Sequence, residues 1–239
     1  MIKEALQYIV GLRKPEVLEI NGQSYCDKAL DRIKPVVVRA NEMAKLSTLT
    51  SFIDCIKARV NRDNAYKFDN LYLHIVSPTH IVAYEKENEL DGNRTYICEA
   101  KAELPEIRYG SYYSSEDFNI LLQSRFCQDI TTALLLSIVG NVKASDVQTR
   151  ADNGKGVVLK EDTELPNPVV LAPFRTFVEV EQVSSAFIFR AKEDSYSNEG
   201  DVAFAIFEAD GGAWKIEATQ RIKAYLENAF KDTGVVILA

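Results

Sequence analysis

Residues of high β-propensity are concentrated in two separate blocks, 71–104 and 169–209, and this grouping constrains the fold more than any other feature of the chain. In the first block, turn-forming residues interrupt the apolar runs at Pro78 and again at 91–93. These interruptions predict a three-stranded antiparallel meander. The second block alternates apolar and polar residues, which predicts a second antiparallel sheet. Its alternating segments are 169–174, 175–183, 185–192 and 201–209.

Helices are grouped with helices in this sequence and do not alternate with single strands. Such segregation is typical of an α+β fold, with two antiparallel β-sheets packed with several α-helices, and not of a doubly wound α/β fold. The helix at 129–140 is apolar nearly all round, which favours a place in the core or at a subunit interface. The other helices expected from apolar spacing cover about 2–12, 48–61, 115–126 and 214–230.

The first 45 residues form a separate segment in this interpretation. An amphipathic helix is followed by two short β-prone runs that flank Asn21-Gly22, a strong signal for a two-residue hairpin turn. The remainder, 46–239, is the α+β core. Its best internal boundary is 141–168, which contains glycines, prolines and a charged stretch.

Charge and cysteine usage exclude several classes of protein. The chain has 239 residues and a formal net charge of −7, which argues against nucleic acid as a partner. Its four cysteines form no C-x-x-C pair, so zinc-binding motifs are unsupported. The longest apolar run, 133–139, is far shorter than a membrane span. We therefore expect an intracellular protein without cofactor, metal or membrane partner.

No group of residues matches a catalytic pattern, and we therefore predict that the chain is not an enzyme. Glu179 and Glu181 would share one strand face and could bind Mg²⁺ as in a metal-dependent nuclease. A cross-strand ion pair between Glu179 and Arg190 explains the pattern better. His74 and His80 flank a turn with no third group spaced to complete a metal or acid–base site.

The loop RYGSYY (108–113), called the tyrosine loop below, is the most distinctive aromatic segment outside the strands. Tyrosines next to an arginine are common at interfaces and can stack on bases. The alternative is that they cover an edge of the core. The candidate ligand-binding residues are Arg108, Tyr109, Tyr112 and Tyr113.

The segment LAPFRTFVEVEQVSSAFIFR (171–190) resembles the YfdQ-like family of phage and prophage proteins. The shared pattern is an aromatic-Arg-Thr-Phe group, then Glu181-Gln182, then an aromatic-Phe-Arg group. The resemblance covers roughly 45–230 and implies a phage or prophage origin in the cytoplasm of a bacterial host. It implies no enzymatic activity.

Two hypotheses of different class follow. The first is a non-enzymatic phage or prophage protein that self-assembles into a closed homo-oligomer, such as a large shell- or ring-like particle. The alternative is a ligand-sequestering or counter-defence module that binds a nucleotide or a host protein through the tyrosine loop. For the first hypothesis, the predicted interface residues are Phe174, Arg175, Phe177, Glu181, Phe187, Phe189 and Arg190.

Overall fold

A computed structural model describes residues 2–11, 17–20, 23–26, 42–63, 67–87, 94–141, 168–193 and 202–239. By its contacts the chain divides into two compact units, 1–40 and 41–239. The internal boundary expected at 141–168 lies almost entirely outside the described residues. No helix in the described ranges is both long enough and apolar enough to cross a membrane.

The first unit contains a helix and a hairpin, as predicted. Helix α1 spans Ile2–Gly11. Strands β1 (Val17–Ile20) and β2 (Gln23–Cys26) pair antiparallel. Ile20 lies opposite Gln23, the register that a two-residue Asn-Gly turn requires.

The second unit confirms the α+β class, with two sheets and four further helices among its described residues. The helices begin and end close to the predicted positions. They are α2 (Leu49–Asp63), α3 (Ser115–Arg125), α4 (Ile130–Asn141) and α5 (Trp214–Ala229), with a short 3-10 turn at Phe68–Asn70. The strands are β3 (Ala44–Leu46), β4 (Leu71–Ser77), β5 (His80–Glu85), β6 (Tyr96–Lys101), β7 (Val169–Leu171), β8 (Ser185–Glu193), β9 (Val202–Glu208) and β10 (Val236–Leu238).

The first sheet contains the predicted meander but is not purely antiparallel. Its order is β10-β4-β5-β6-β3, and the two outer strands, β10 and β3, each pair parallel to their neighbour. A strand at 235–238 is expected from its apolar run, but both outer strands are distant in sequence from 71–104, so the local pattern there gave no sign of their pairing. The sheet is therefore mixed.

One face of this sheet is covered by α2 and α5. The apolar stripe of α2 includes Leu49, Phe52 and Ile56, and α5 adds Ile222 and Leu226. All five are fully buried. Burial of side chains of this size contributes roughly 1.5–3 kcal/mol each relative to exposure, which is why the stripe dictates where these helices pack.

The second sheet has the order β7-β8-β9 and is antiparallel, as predicted. Helices α3 and α4 supply side chains to its core. Phenylalanines dominate that core, and Phe204 stacks on Phe189 with ring centroids 5.7 Å apart. Phe118 of α3 lies 5.7 Å from Phe204 and 5.9 Å from Phe189.

The prediction of a strand over 175–183 is wrong. The segment has no strand pairing, and a turn occupies 178–180. The side chains of the segment nevertheless differ in burial, because Phe177 and Val180 are buried in the first core while Val178 is exposed. The backbone hydrogen bonds that a neighbouring strand would supply come instead from side chains of the same chain.

Candidate functional site

Arg175 lies at the centre of a buried polar cluster at one end of the second sheet. Only 7% of the residue is exposed. Its guanidinium donates to the Glu208 carboxylate at 3.0 Å, to the Ser185 hydroxyl and to the Val183 carbonyl. It also stacks over the Trp214 ring, with Cζ 4.0 Å from the centroid. Charge-assisted bonds and cation–π contact together offset the cost of burying the cation.

Tyr109 belongs to this cluster and not to an open binding surface. Its ring stacks on Phe187 at 5.5 Å between centroids. Burial raises the pKa of Tyr109 to about 12, and the neighbouring Arg175 only partly opposes that shift. The phenol therefore stays neutral at physiological pH.

Gln182 holds the irregular segment 175–183 in place. Its side-chain oxygen accepts the backbone N–H groups of Arg175 (3.0 Å) and Thr176 (3.2 Å). Its amide nitrogen donates to the carbonyls of Phe177 (3.1 Å) and Val180 (3.3 Å). One buried amide thus satisfies backbone groups that would otherwise lack partners.

Three further contacts attach this segment to the first sheet and its helices. The Thr176 hydroxyl donates to the Pro78 carbonyl at 2.6 Å. Glu179 accepts the backbone N–H of Thr50 at 3.2 Å, at the beginning of α2, where the helix dipole favours an anion. Arg221 of α5 donates to the Glu181 and Gln182 carbonyls.

These positions correct the predicted pairing of Glu179, Glu181 and Arg190. Glu179 faces α2, whereas Glu181 is highly exposed and forms an ion pair with Arg221 at 3.2 Å. Because 175–183 is not a strand, the two carboxylates do not share a strand face, and Arg190 does not lie opposite Glu179. In the part of the chain that the structure describes, no three acidic, histidine or cysteine residues are grouped to bind a metal.

The predicted interface residues are mostly part of the chain's own core. Phe177, Phe187 and Phe189 are at most 3% exposed, and Arg175 is buried beside them. A side chain in the core presents no surface to a second copy, so these four residues cannot serve as interface anchors in this structure. Phe174 and Arg190 are half-buried, and Glu181 alone among the seven is exposed.

The structure does not bring the four residues of the tyrosine loop into one site. Tyr112 is exposed and lies under the Lys192 ammonium, with Nζ 4.1 Å from the ring centroid. The Tyr113 hydroxyl donates to the Arg108 carbonyl, and Arg108 itself pairs with Glu106 at 2.9 Å. Arg108 and Tyr113 line a cleft of about 360 Å³. It is completed by Glu106, Asp117, Ile120, Leu121 and Arg125.

A second polar cluster lies on the face of the first sheet opposite α2 and α5. His80 is 2.9 Å from the Glu99 carboxylate, which also accepts from Lys101 at 3.0 Å. The register between β4 and β5 shifts by one residue between Ile75 and Ser77. His74 therefore lies opposite Val82, on the same face of the sheet as His80. Sequence reasoning missed Glu99 as the partner of His80 because it comes from the third strand of the meander.

Glu99 is expected to make stability depend on pH. Bonds from Lys101, and secondarily from His80, hold its pKa below the ordinary 4.5. The ionised Glu99 carboxylate contributes its full stabilisation when the pH is above 4.5, its ordinary pKa in the unfolded chain. This contribution is lost as the pH falls through the lower pKa of Glu99 in the folded state. In urea unfolding we expect Glu99→Gln to be less stable than the parent at neutral pH, with a difference that shrinks in acid. The exposed Glu103→Gln is the matched control, and an acid-independent difference for Glu99→Gln would contradict this assignment.

Helices α3 and α5 each expose one large apolar side chain, Ile120 and Ile216, whereas α1 and α4 each expose more than one on a single face. On α1, Ile2 is 81% and Leu6 57% exposed, and the two lie on one face because they are four residues apart. On α4, Ile130 is 90% exposed and lies on one face with Ala133 and Leu134. The opposite side of α4, including Leu135 and Ile138, is buried in the second core. The all-round apolar character predicted for this helix thus resolves into one core face and one exposed face.

Comparison of the chain with protein-family models, with curated proteins and with solved structures gives no match.

Proposed function

We propose that the chain is a non-enzymatic, phage- or prophage-encoded subunit that self-assembles into a closed homo-oligomer in the cytoplasm of its bacterial host. The observation that carries the proposal is the uncovered apolar stripe of α1. The origin is supported by the resemblance of 171–190 to YfdQ-like proteins.

The stripe of α1 needs a partner for a physical reason. The helix has ten residues, and isolated helices shorter than about 12–15 residues are marginal in water even for favourable sequences. Its side chains from Ile2 to Tyr8 are exposed. An apolar surface outside the helix is therefore required to stabilise it, and each copy of the chain carries one on α4.

In this proposal α1 of one copy packs on the exposed face of α4 in the next copy. Two different surfaces then meet at every contact, so the interface is heterologous. Such contacts close into rings when the rotation between copies divides a full turn. The same head-to-tail geometry removes Ile130 and Leu6 from water in every subunit.

A charge placed in the stripe tests this interface. We expect Leu6→Glu to reduce the native mass from a multiple of 26.8 kDa to that of one chain, because burying an unpaired carboxylate is strongly unfavourable. Ile130→Glu should do the same from the other side of the contact. Native mass is measured by light scattering after size exclusion.

The matched control is Gln7→Glu, which adds the same charge to α1 next to the stripe. It should leave the native mass of the parent unchanged. If Leu6→Glu and Ile130→Glu also assemble like the parent, the proposed contact between α1 and α4 is excluded.

A further inference from the structure

Two cysteines from different elements meet where α2 packs on the first sheet. Cys55 lies on α2 and is half-buried, whereas Cys98 lies on β6 and is fully buried in the first core. Their side chains are in hydrogen-bonding contact, and both are free thiols in this structure. Because α2 and β6 are distant in sequence, a bond between the two sulfurs would tie the helix covalently to the sheet.

The residues around Cys98 on the covered face of the sheet are small. In the two neighbouring strands, Ala83 of β5 and Ala44 of β3 lie directly opposite Cys98. Ala100, two residues further along β6, points to the same face and is fully buried. Methyl side chains at these positions let the helix backbone come close to the strand. This packing suits a disulfide, which needs its two Cα atoms about 4.4–6.8 Å apart.

The two thiols differ in reactivity, and Cys55 is the one that reacts first. Burial raises the pKa of Cys98, and the neighbouring Cys55 raises it further, so Cys98 stays protonated at physiological pH. Cys55 is partly accessible, and Arg59 lies one helical turn after it, where a cation favours the thiolate. The carboxylate of Asp54 is exposed, and consecutive residues of a helix do not face each other.

We propose that Cys55 and Cys98 form a reversible disulfide when the folded protein meets hydrogen peroxide. This oxidant is small enough to reach a half-buried thiol. The bond would make the attachment of α2 to the first sheet depend on the redox conditions. The inference goes beyond self-assembly and does not depend on it.

The reaction has two steps. The Cys55 thiolate attacks one oxygen of the peroxide, the O–O bond breaks, and a sulfenic acid forms while the other oxygen leaves as water after protonation. The Cys98 sulfur then attacks the Cys55 sulfur, and the sulfenic hydroxyl leaves with the Cys98 proton as a second water. Two thiols and one peroxide thus give one disulfide and two waters. A dithiol reductant reverses the bond by exchange.

Cys127 provides a comparison within the same chain, because it is also half-buried. Burial raises the pKa of Cys127, and the carboxylates of Asp129 and Glu181 raise it further. These surroundings disfavour the thiolate that attacks peroxide. We therefore expect Cys127 to remain a thiol under conditions that join Cys55 to Cys98.

Peroxide treatment of the folded full chain, followed by alkylation and mass spectrometry, tests the proposal. We expect the chain to lose two hydrogen atoms and to yield a pair of peptides joined through Cys55 and Cys98, which dithiothreitol separates. A variant with Cys26→Ser and Cys127→Ser keeps only the proposed pair. After oxidation this variant should unfold at a higher urea concentration than after reduction, because the bridge restricts the unfolded chain.

Cys55→Ser and Cys98→Ala should each lose the joined peptides and the rise in urea midpoint on oxidation. Because Cys55 is half-buried, its variant tests the bond even if Cys98→Ala folds poorly. Cys127→Ser is the matched control and should oxidise like the parent. The proposal is overturned if the folded chain gives no peptides joined through Cys55 and Cys98, if they form only in urea, or if Cys127→Ser abolishes them.

Discussion

Replacing Arg175 by alanine is expected to destabilise the protein by about 3 kcal/mol or more. The side chain is buried, and its removal leaves Ser185 without its partner and Glu208 without its cation. It also removes the contact with Trp214, so a cavity adds to the lost bonds. Urea unfolding at one protomer concentration measures the loss as a lower midpoint.

The control for this substitution is Arg108→Ala. Arg108 also pairs with a glutamate, but both partners are highly exposed. Exposed ion pairs contribute little to stability, so the control should unfold close to the parent. Equal midpoints for Arg175→Ala and the parent would show that Arg175 does not organise this end of the sheet.

Gln182→Ala is expected to have an effect of similar size, about 3 kcal/mol, for a different reason. The lost amide leaves backbone N–H groups of Arg175 and Thr176 and carbonyls of Phe177 and Val180 without their partner. An unsatisfied buried group costs roughly 1–3 kcal/mol, although relaxation and water recover part of the total. The measurement is again the urea midpoint.

Gln220→Ala provides the comparison on the exposed side of α5. Alanine has the higher helix propensity, so this control should be neutral or slightly more stable than the parent. If Gln182→Ala is equally neutral, the segment 175–183 does not depend on this side chain, and its backbone must find other partners.

The sequence predicted the elements whose determinants are local. The spacing of Leu49, Phe52 and Ile56 defined α2, and the turn-forming Pro78 separated β4 from β5. The Asn-Gly pair set the register of the first hairpin. In each case residues within one turn or one hairpin determine the geometry, so no distant contact had to be known.

The parts that could not be predicted depend on distant contacts. The apolar run at 235–238 predicts the strand β10, but not its parallel pairing with β4, and the pairing of β3 with β6 likewise depends on an edge of the meander that is distant in sequence. The segment 175–183 has the alternation of a strand, yet Gln182 takes up the backbone groups that a strand partner would have bonded. Period-two alternation reports which side chains are buried, and it does not report what the backbone pairs with.

The candidate sites also separate into features that the local sequence shows and features that depend on distant contacts. The aromatic residues at 174–189 stood out in the sequence because they are large and regularly spaced, which is equally typical of a core and of an interface. Only burial distinguishes the two, and Phe177, Phe187 and Phe189 are core residues. The contacts between the rings of Tyr72, Tyr84 and Tyr96 were not recognised because the three residues come from three different strands.

The native mass of the unmodified full chain tests the central claim most directly. Self-assembly through α1 and α4 predicts a species whose mass is a whole multiple of 26.8 kDa at micromolar concentration. A single species of 26.8 kDa under the same conditions would contradict it, because the apolar stripe of α1 would then remain uncovered in solution.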